Sequence, residues 1–327
     1  MFTLSSTPLR RLARAATVTV AAVATATALT ACSSGGSTSS SGEIAIISKG
    51  YQHQFWKAVN KGADESAKEL GRTITFEGPD SETQVEKQVQ LLQTALDRNP
   101  AAIAIAALDS SAVAPILQQA KDKGIPVIAF DSGVDSDIPV TTASTNNFAA
   151  AGEAAKRMVD LIGGKGEIGV VAHDQTSKTG VDRRDGFTDW IKKNAPGVKI
   201  VDVQYGGDPA KAADLTSTML EAYPNLAGLY GTNEGAATGV VNAVQRSGKQ
   251  NIKVIGFDSG AAQIDAIKSG LMAGAITQNP VGIGRETVAA AVKAINGESL
   301  PKNIDTGYYW YDKTNIDDPK ISGSLYR

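Results

Sequence analysis

From Glu43 onward the chain changes its apolar period repeatedly, short runs of β-formers giving way to stretches with apolar residues every three or four positions. Residues 43–48 read as a strand, and 54–70 as a helix with Phe55, Val59, Ala63 and Ala67 on one face. A strand at 73–76 precedes a helix at 83–98, whose inner face carries Val85, Val89, Leu92 and Leu96. Residues 101–107 and 125–130 are continuous apolar runs, as expected of strands buried on both faces of a parallel sheet. A helix at 111–123 separates them, and 140–144 follows as a further strand. The second half repeats the scheme, with strands near 167–172, 199–204, 226–230, 253–257 and 273–277 and a last one around 307–311. Its helices fall near 147–162, 180–194, 209–222, 235–246, 261–269 and 281–296. Alternation of this kind predicts parallel sheets with right-handed crossovers. Roughly ten strands in 327 residues predict an α/β protein of two doubly wound parallel-sheet domains.

The first 42 residues stand outside that pattern. Arg10, Arg11 and Arg14 precede an apolar run, Ala15 to Leu29, and the run ends in Leu29-Thr30-Ala31-Cys32. A basic start, an apolar middle and small residues at the end predict a signal peptide over 1–31. The run is shorter than the roughly 20 residues that a spanning helix needs. The tetrapeptide resembles the lipobox of bacterial lipoproteins, in which the cysteine is acylated and becomes the mature N-terminus. Residues 32–42 are almost entirely Ser, Gly and Thr and read as a flexible tether. Export is therefore expected, with a globular body held at the outer face of the cell membrane, or in the periplasm, through lipidated Cys32.

Composition narrows the chemistry. Cys32 is the only cysteine and there are two histidines, so disulfides, metal–thiolate clusters and His-rich metal sites are excluded. Lys and Arg number 32 against 34 Asp and Glu, with no basic stripe, which argues against nucleic acid. Gly163-Gly164-Lys165-Gly166 lacks the phosphate-binding pattern and reads as a helix stop before a strand. No nucleophile elbow is present. No cofactor, metal or catalytic residue is expected.

One phrase occurs twice, as Phe130-Asp131-Ser132-Gly133 and Phe257-Asp258-Ser259-Gly260, each after a run of β-formers. Open α/β sheets bind ligands beyond the carboxyl ends of their strands. The two copies thus predict one carboxylate from each half, Asp131 and Asp258, facing a shared polar ligand. A glycosidase pair is the enzymatic alternative, although nothing near either residue in the sequence argues for the raised pKa that an acid needs. Other strand tips offer Lys49, His53, Phe55 and Trp56 after the first strand, then Asn233 and Gln278. Aromatic rings pack on the apolar faces of sugars, while Lys, Gln and His donate to hydroxyl oxygens. Helical neighbours diverge by about 100°, so one of Phe55 and Trp56 is expected in the core. Asp109 and Asn147 read as helix caps or turn residues. Arg183 does not, because its charge opposes the dipole at a helix start.

Taken in order over 43–311, these residues resemble the ribose- and allose-binding branch of the type I periplasmic solute-binding proteins, the sugar receptors of ABC importers. The resemblance rests on Lys49, Phe55-Trp56, Phe130-Asp131, Asn146, Arg183 with Gly186-Phe187, Thr232-Asn233-Glu234, Gly256-Phe257-Asp258 and Thr277-Gln278-Asn279-Pro280. It implies a ligand cleft between two lobes joined by three crossings, near 144–146, 278–279 and 304–305. The lobes would be 43–145 plus 279–304 and 146–278 plus 305–327. It also implies that Phe55 and Trp56 stack on the sugar while Lys49, Asp131, Asn146, Arg183, Asn233, Asp258 and Gln278 bond to it. His53 and Ser132 stand where the family carries other residues, and both join the candidate set, although the Ser and Gly of the repeated phrase also read as turn residues. The family's second-lobe aromatic would fall near Gly207, with Tyr205 the substitute. These departures predict a sugar or sugar alcohol other than ribose. The expected partners are that ligand, an ABC permease and the bilayer, the protein itself being a monomer. A receptor feeding a membrane sensor is the alternative output. A transcription regulator of the same fold would need a DNA-binding segment where the signal and tether stand.

Overall fold

The computed structural model describes residues 42–326. The predicted signal peptide, Cys32 and all but the last residue of the tether lie outside them. The first half runs β1 (Glu43–Ile47), α1 (Gln54–Glu69), β2 (Thr73–Glu77), α2 (Val85–Asp97), β3 (Ala102–Ile105), α3 (Ala114–Asp122), β4 (Val127–Phe130) and β5 (Thr141–Ser144). The second runs α4 (Asn147–Leu161), β6 (Gly166–Ala172), α5 (Lys178–Asn194), β7 (Val198–Tyr205), α6 (Pro209–Ala222), β8 (Leu226–Gly231), α7 (Glu234–Ser247), β9 (Lys253–Phe257), α8 (Ala261–Ser269) and β10 (Gly274–Gln278). Then follow α9 (Pro280–Ile295), β11 (Asn303–Asp305), β12 (Tyr308–Tyr311) and α10 (Pro319–Ser322).

Two six-stranded sheets result, ordered β11-β5-β4-β3-β1-β2 and β12-β10-β9-β8-β6-β7. The orders match strand for strand, so β4 and β9, which carry the two copies of the repeated phrase, hold equivalent places. The central strands β1, β3 and β4 are buried throughout but for Glu43, as their unbroken apolar runs require. Three features depart from the expected pattern. β12 runs antiparallel to β10, so the second sheet is not wholly parallel. β11 and α10 were not expected, being three and four residues long and too short to show a period.

The chain passes between sheets after β5, after β10 and between β11 and β12. α9 returns to pack on α1, with backbones so close that a Cβ on Gly62 would lie 2.0 Å from the Val281 carbonyl oxygen. The apolar clusters sort by sheet. Tyr326, near the C-terminus, is the bridging exception: its ring meets Phe55 edge-on at 6.0 Å while its hydroxyl accepts from Ser259 N at 3.2 Å. Among the described residues no helix is long and apolar enough to cross a membrane.

Candidate functional site

Both aspartates of the repeated phrase adopt a left-handed backbone, φ 51° at Asp131 and 78° at Asp258. Aspartate tolerates this conformation better than most residues, yet it is uncommon and gathers at functional sites. Each residue's N–H donates to the neighbouring strand, Asp131 to the Ala143 carbonyl at 2.9 Å and Asp258 to that of Ile276 at 2.6 Å. The strand thereby turns sharply at its tip and presents the carboxylate at the sheet's carboxyl edge.

The two edges meet around one polar cavity. Lys49, His53, Phe55, Trp56, Glu82 and Asp131 line it from the first lobe, and His173, Thr179, Arg183, Asn233, Asp258 and Gln278 from the second. These side chains leave about 20 Å³ between them, room for a single water. A larger molecule therefore enters only as the lobes separate or the side chains shift.

Arg183 is the best-anchored group. Its guanidinium lies over the Phe257 ring at 3.8 Å, Nε donates to Asn147 Oδ1 at 2.8 Å, and Nη1 donates to the Thr232 carbonyl at 3.0 Å. Nη1 also stands 3.7 Å from Asp258 Oδ2. Asp258 accepts from Gln278 Nε2 at 2.7 Å and from Glu234 N at 3.0 Å. Asp131 is less provided for: its Oδ1 has no hydrogen-bond partner among the described residues, and neither has Gln278 Oε1. Burial pushes the Asp131 carboxyl up to about 7, since Arg183 and Lys49 only partly offset it.

Lys49 spans the cleft, Nζ donating to Ser177 Oγ at 3.1 Å, Thr179 Oγ1 at 3.2 Å and Asp174 Oδ2 at 3.4 Å. Burial works against its charge, but the carboxylates of Asp174, Glu82 and Asp131 outweigh burial and raise its pKa. Glu82 accepts from Trp56 Nε1 at 2.7 Å, which fixes the indole. Burial would raise the Glu82 pKa, yet Lys49, His53 and His173 hold it below the usual range. Burial lowers His173 to about 3, so its ring is neutral.

Nine of the eleven candidate ligand residues thus come together, and two do not. Asn146 is exposed and caps α4 through Ala149 N. Its neighbour Asn147, expected as the cap, is the one that turns inward to Arg183. Ser132 is fully buried behind the cavity, its carbonyl accepting from Ala107 N and its Oγ unpartnered. Phe55 and Trp56 both line the cavity, edge to face at 4.9 Å, so neither is confined to the core. Tyr205 does not fill the place of a second-lobe aromatic, because its hydroxyl accepts from Arg184 outside the cavity. Gly207 instead backs onto His173, where an added Cβ would stand 3.1 Å from that residue's Cβ. Glu82, His173 and Thr179 were missed. The strand-tip rule that found the others would have found His173, directly after β6, whereas Glu82 lies in the loop between β2 and α2. The raised Asp131 carboxyl was also unforeseen, because nothing in a single chain shows how deeply a strand tip is covered. Among the described residues no group of His, Asp or Glu is placed to hold a metal.

The family model described as a periplasmic binding protein domain matches residues 44–299. The D-allose-binding periplasmic protein of Escherichia coli K12 is 29% identical over 270 residues, covering 79% of this chain and 86% of that protein. A D-apiose import binding protein of Actinobacillus succinogenes is also 29% identical, covering 70% of this chain and 74% of its own length. Among solved structures, an ABC transporter solute-binding protein of Agrobacterium vitis with bound D-fucose superposes with a TM-score of 0.84 at 34% identity, covering 87% of this chain and 100% of that one. A second protein of that organism, bound to α-D-tagatopyranose, gives 0.84 at 31% identity, with 87% and 99% covered.

Proposed function

The chain belongs to the periplasmic binding protein domain family, and from that footing we propose that it captures a monosaccharide or sugar alcohol between its lobes for delivery to an ABC importer. The observation that carries this reading is the pairing of unused buried acceptors, Asp131 Oδ1 and Gln278 Oε1, with fixed cationic donors and two aromatic rings in one interlobe cavity. A polyol supplies the hydroxyl donors those acceptors lack, and each charge-assisted bond made in a dry cleft contributes about 1.5–3 kcal/mol. The pyranose or furanose face would lie against Phe55 and Trp56. D-allose, D-apiose, D-fucose and tagatopyranose, named for the relatives, set the class of ligand to try.

The protein binds and does not turn its ligand over. Asp131 has the raised pKa of a general acid, but the relatives are solute-binding proteins. Release of nitrophenol from nitrophenyl glycosides would reverse this view. The ligand is a sugar or sugar alcohol other than ribose, because Gly207 offers no ring where the family's second-lobe aromatic is expected and Ser132 brings no charge. Isothermal titration with D-allose, D-fucose, D-tagatose, D-arabinose, D-ribose and the matching alditols tests this, and binding of D-ribose alone would sink it. The lobes are 43–145 plus 279–304 and 146–278 plus 305–327, in a monomer held to the membrane by acylated Cys32. Cys32→Ser should move the protein from the membrane fraction to the soluble exported fraction, and continued membrane retention would refute the anchor.

A further inference from the structure

α1 starts without a cap of its own. His53 makes no side-chain bond to the first turn, and that turn has no acidic residue, although the N–H groups at a helix start need partners. Two of them find one across the cleft. Gln54 N donates to Glu234 Oε1 at 3.1 Å and Phe55 N donates to Glu234 Oε2 at 3.2 Å. Glu234 opens α7 of the other lobe, so its carboxylate supplies both the bonds and the charge that the α1 dipole favours. The exchange is mutual. Gln54 Oε1 accepts from Ala261 N at 2.8 Å, the first residue of α8, whose N-cap residue Gly260 has no side chain to offer.

Gly260 also makes room for this junction, since a Cβ there would lie 2.8 Å from Glu234 Cδ. In the first copy of the repeated phrase, a Cβ on Gly133 would meet only Lys178 Cγ at an ordinary 3.6 Å. The two glycines therefore serve different ends. Glu234 itself does not line the cavity.

We propose that Glu234 is a positioning residue for closure, capping α1 from the opposite lobe and so setting ligand affinity without touching the ligand. The proposal rests on the interlobe cavity being the ligand site. A cap of this kind exists only with the lobes together, so it shifts the open–closed equilibrium by its own differential free energy. Apparent affinity scales with the closed, competent fraction.

The test is an interlobe distance measurement on the full chain carrying Cys32→Ser, Lys121→Cys and Lys193→Cys, with a spin label on an exposed site of each lobe. Distributions are recorded without sugar and with D-allose, D-fucose or D-arabinose. The wild-type background should show a short-distance population whose ratio to the long one falls at least fivefold in Glu234→Ala. Gln54→Ala should lower it less, and it keeps the proposal testable should Glu234→Ala misfold. Where a sugar binds, its Kd should rise by the factor that the closed fraction loses. Unchanged ratios in both variants would overturn the proposal, as would a wild type with no short-distance population under any condition. A wild type that closes without responding to any sugar would instead count against the sugar-capture reading, and the variants would still decide the cap.

Discussion

Asp131 and Asp258 hold equivalent places in equivalent sheets, yet they are provided for differently. Asp258 has bonds from Gln278 and Glu234 and a guanidinium at 3.7 Å, whereas Asp131 Oδ1 is buried and unpartnered. The difference has a measurable sign. Burial raises the folded Asp131 pKa from 3.8 to about 7, so between those values the folded state keeps a proton that the unfolded state releases. Stability then falls as pH rises through that window and is level above it. An asparagine side chain never ionises, so Asp131→Asn should gain on the wild type steadily from pH 4 to pH 7 in ligand-free urea denaturation. A constant difference across that range would refute the raised carboxyl. Arg183→Lys keeps the charge but loses the planar contact with Phe257 and the fork that reaches Asn147 and Thr232. We expect it to weaken sugar affinity at least tenfold by calorimetry, and an unchanged Kd would remove Arg183 from the site.

At the scale of elements, most of the fold was legible because each strand and helix has a period long enough to read, with α6, α8 and β9 falling on their expected bounds. What escaped was short or set by a neighbour. β11 has three residues and borrows its place from β5, and the reversed direction of β12 comes from the last crossing. In the site, strand-tip residues were legible one by one, but the choice between Asn146 and Asn147 was not. Asn146 caps and Asn147 begins the same helix, and only Arg183, 36 positions from Asn147, decides which turns inward. Helix contacts fall between these cases, since glycines mark them without naming their partners. A Cβ on Gly284 would stand 2.0 Å from the Val59 carbonyl oxygen, reciprocal to the contact of Gly62 with Val281. These are backbone atoms, which cannot swing aside. Gly284→Ala should therefore cost about 1–3 kcal/mol of stability or more, with the loss read from the urea midpoint. A midpoint equal to wild type would mean that α1 and α9 slide apart freely.

The whole molecule behaves as two apolar bodies joined by polar contacts. Apart from Tyr326, no apolar cluster of the described residues draws on both lobes. What crosses the cleft is hydrogen bonding: Lys49 to Ser177 and Thr179, Ser110 N to the Thr176 carbonyl, and the caps exchanged between Gln54, Glu234 and Ala261. Such bonds trade with water when the lobes part and contribute about 0.5–1.5 kcal/mol each between neutral groups and about 1.5–3 kcal/mol where Lys49 or Glu234 takes part, so they bias closure without making it permanent. A sugar held as proposed, by Asp131 on one side and by Arg183 and Asp258 on the other, would add a coupling that neither lobe has alone. At a free concentration one hundred times its Kd it stabilises the pair by about 2.7 kcal/mol. Without sugar, scanning calorimetry should resolve two overlapping transitions, one for each apolar body. With saturating sugar they should rise and merge, because unfolding either lobe then releases the ligand from both. A sugar that raised one transition and left the other in place would show that a single lobe holds it, and the shared cleft would have to be abandoned.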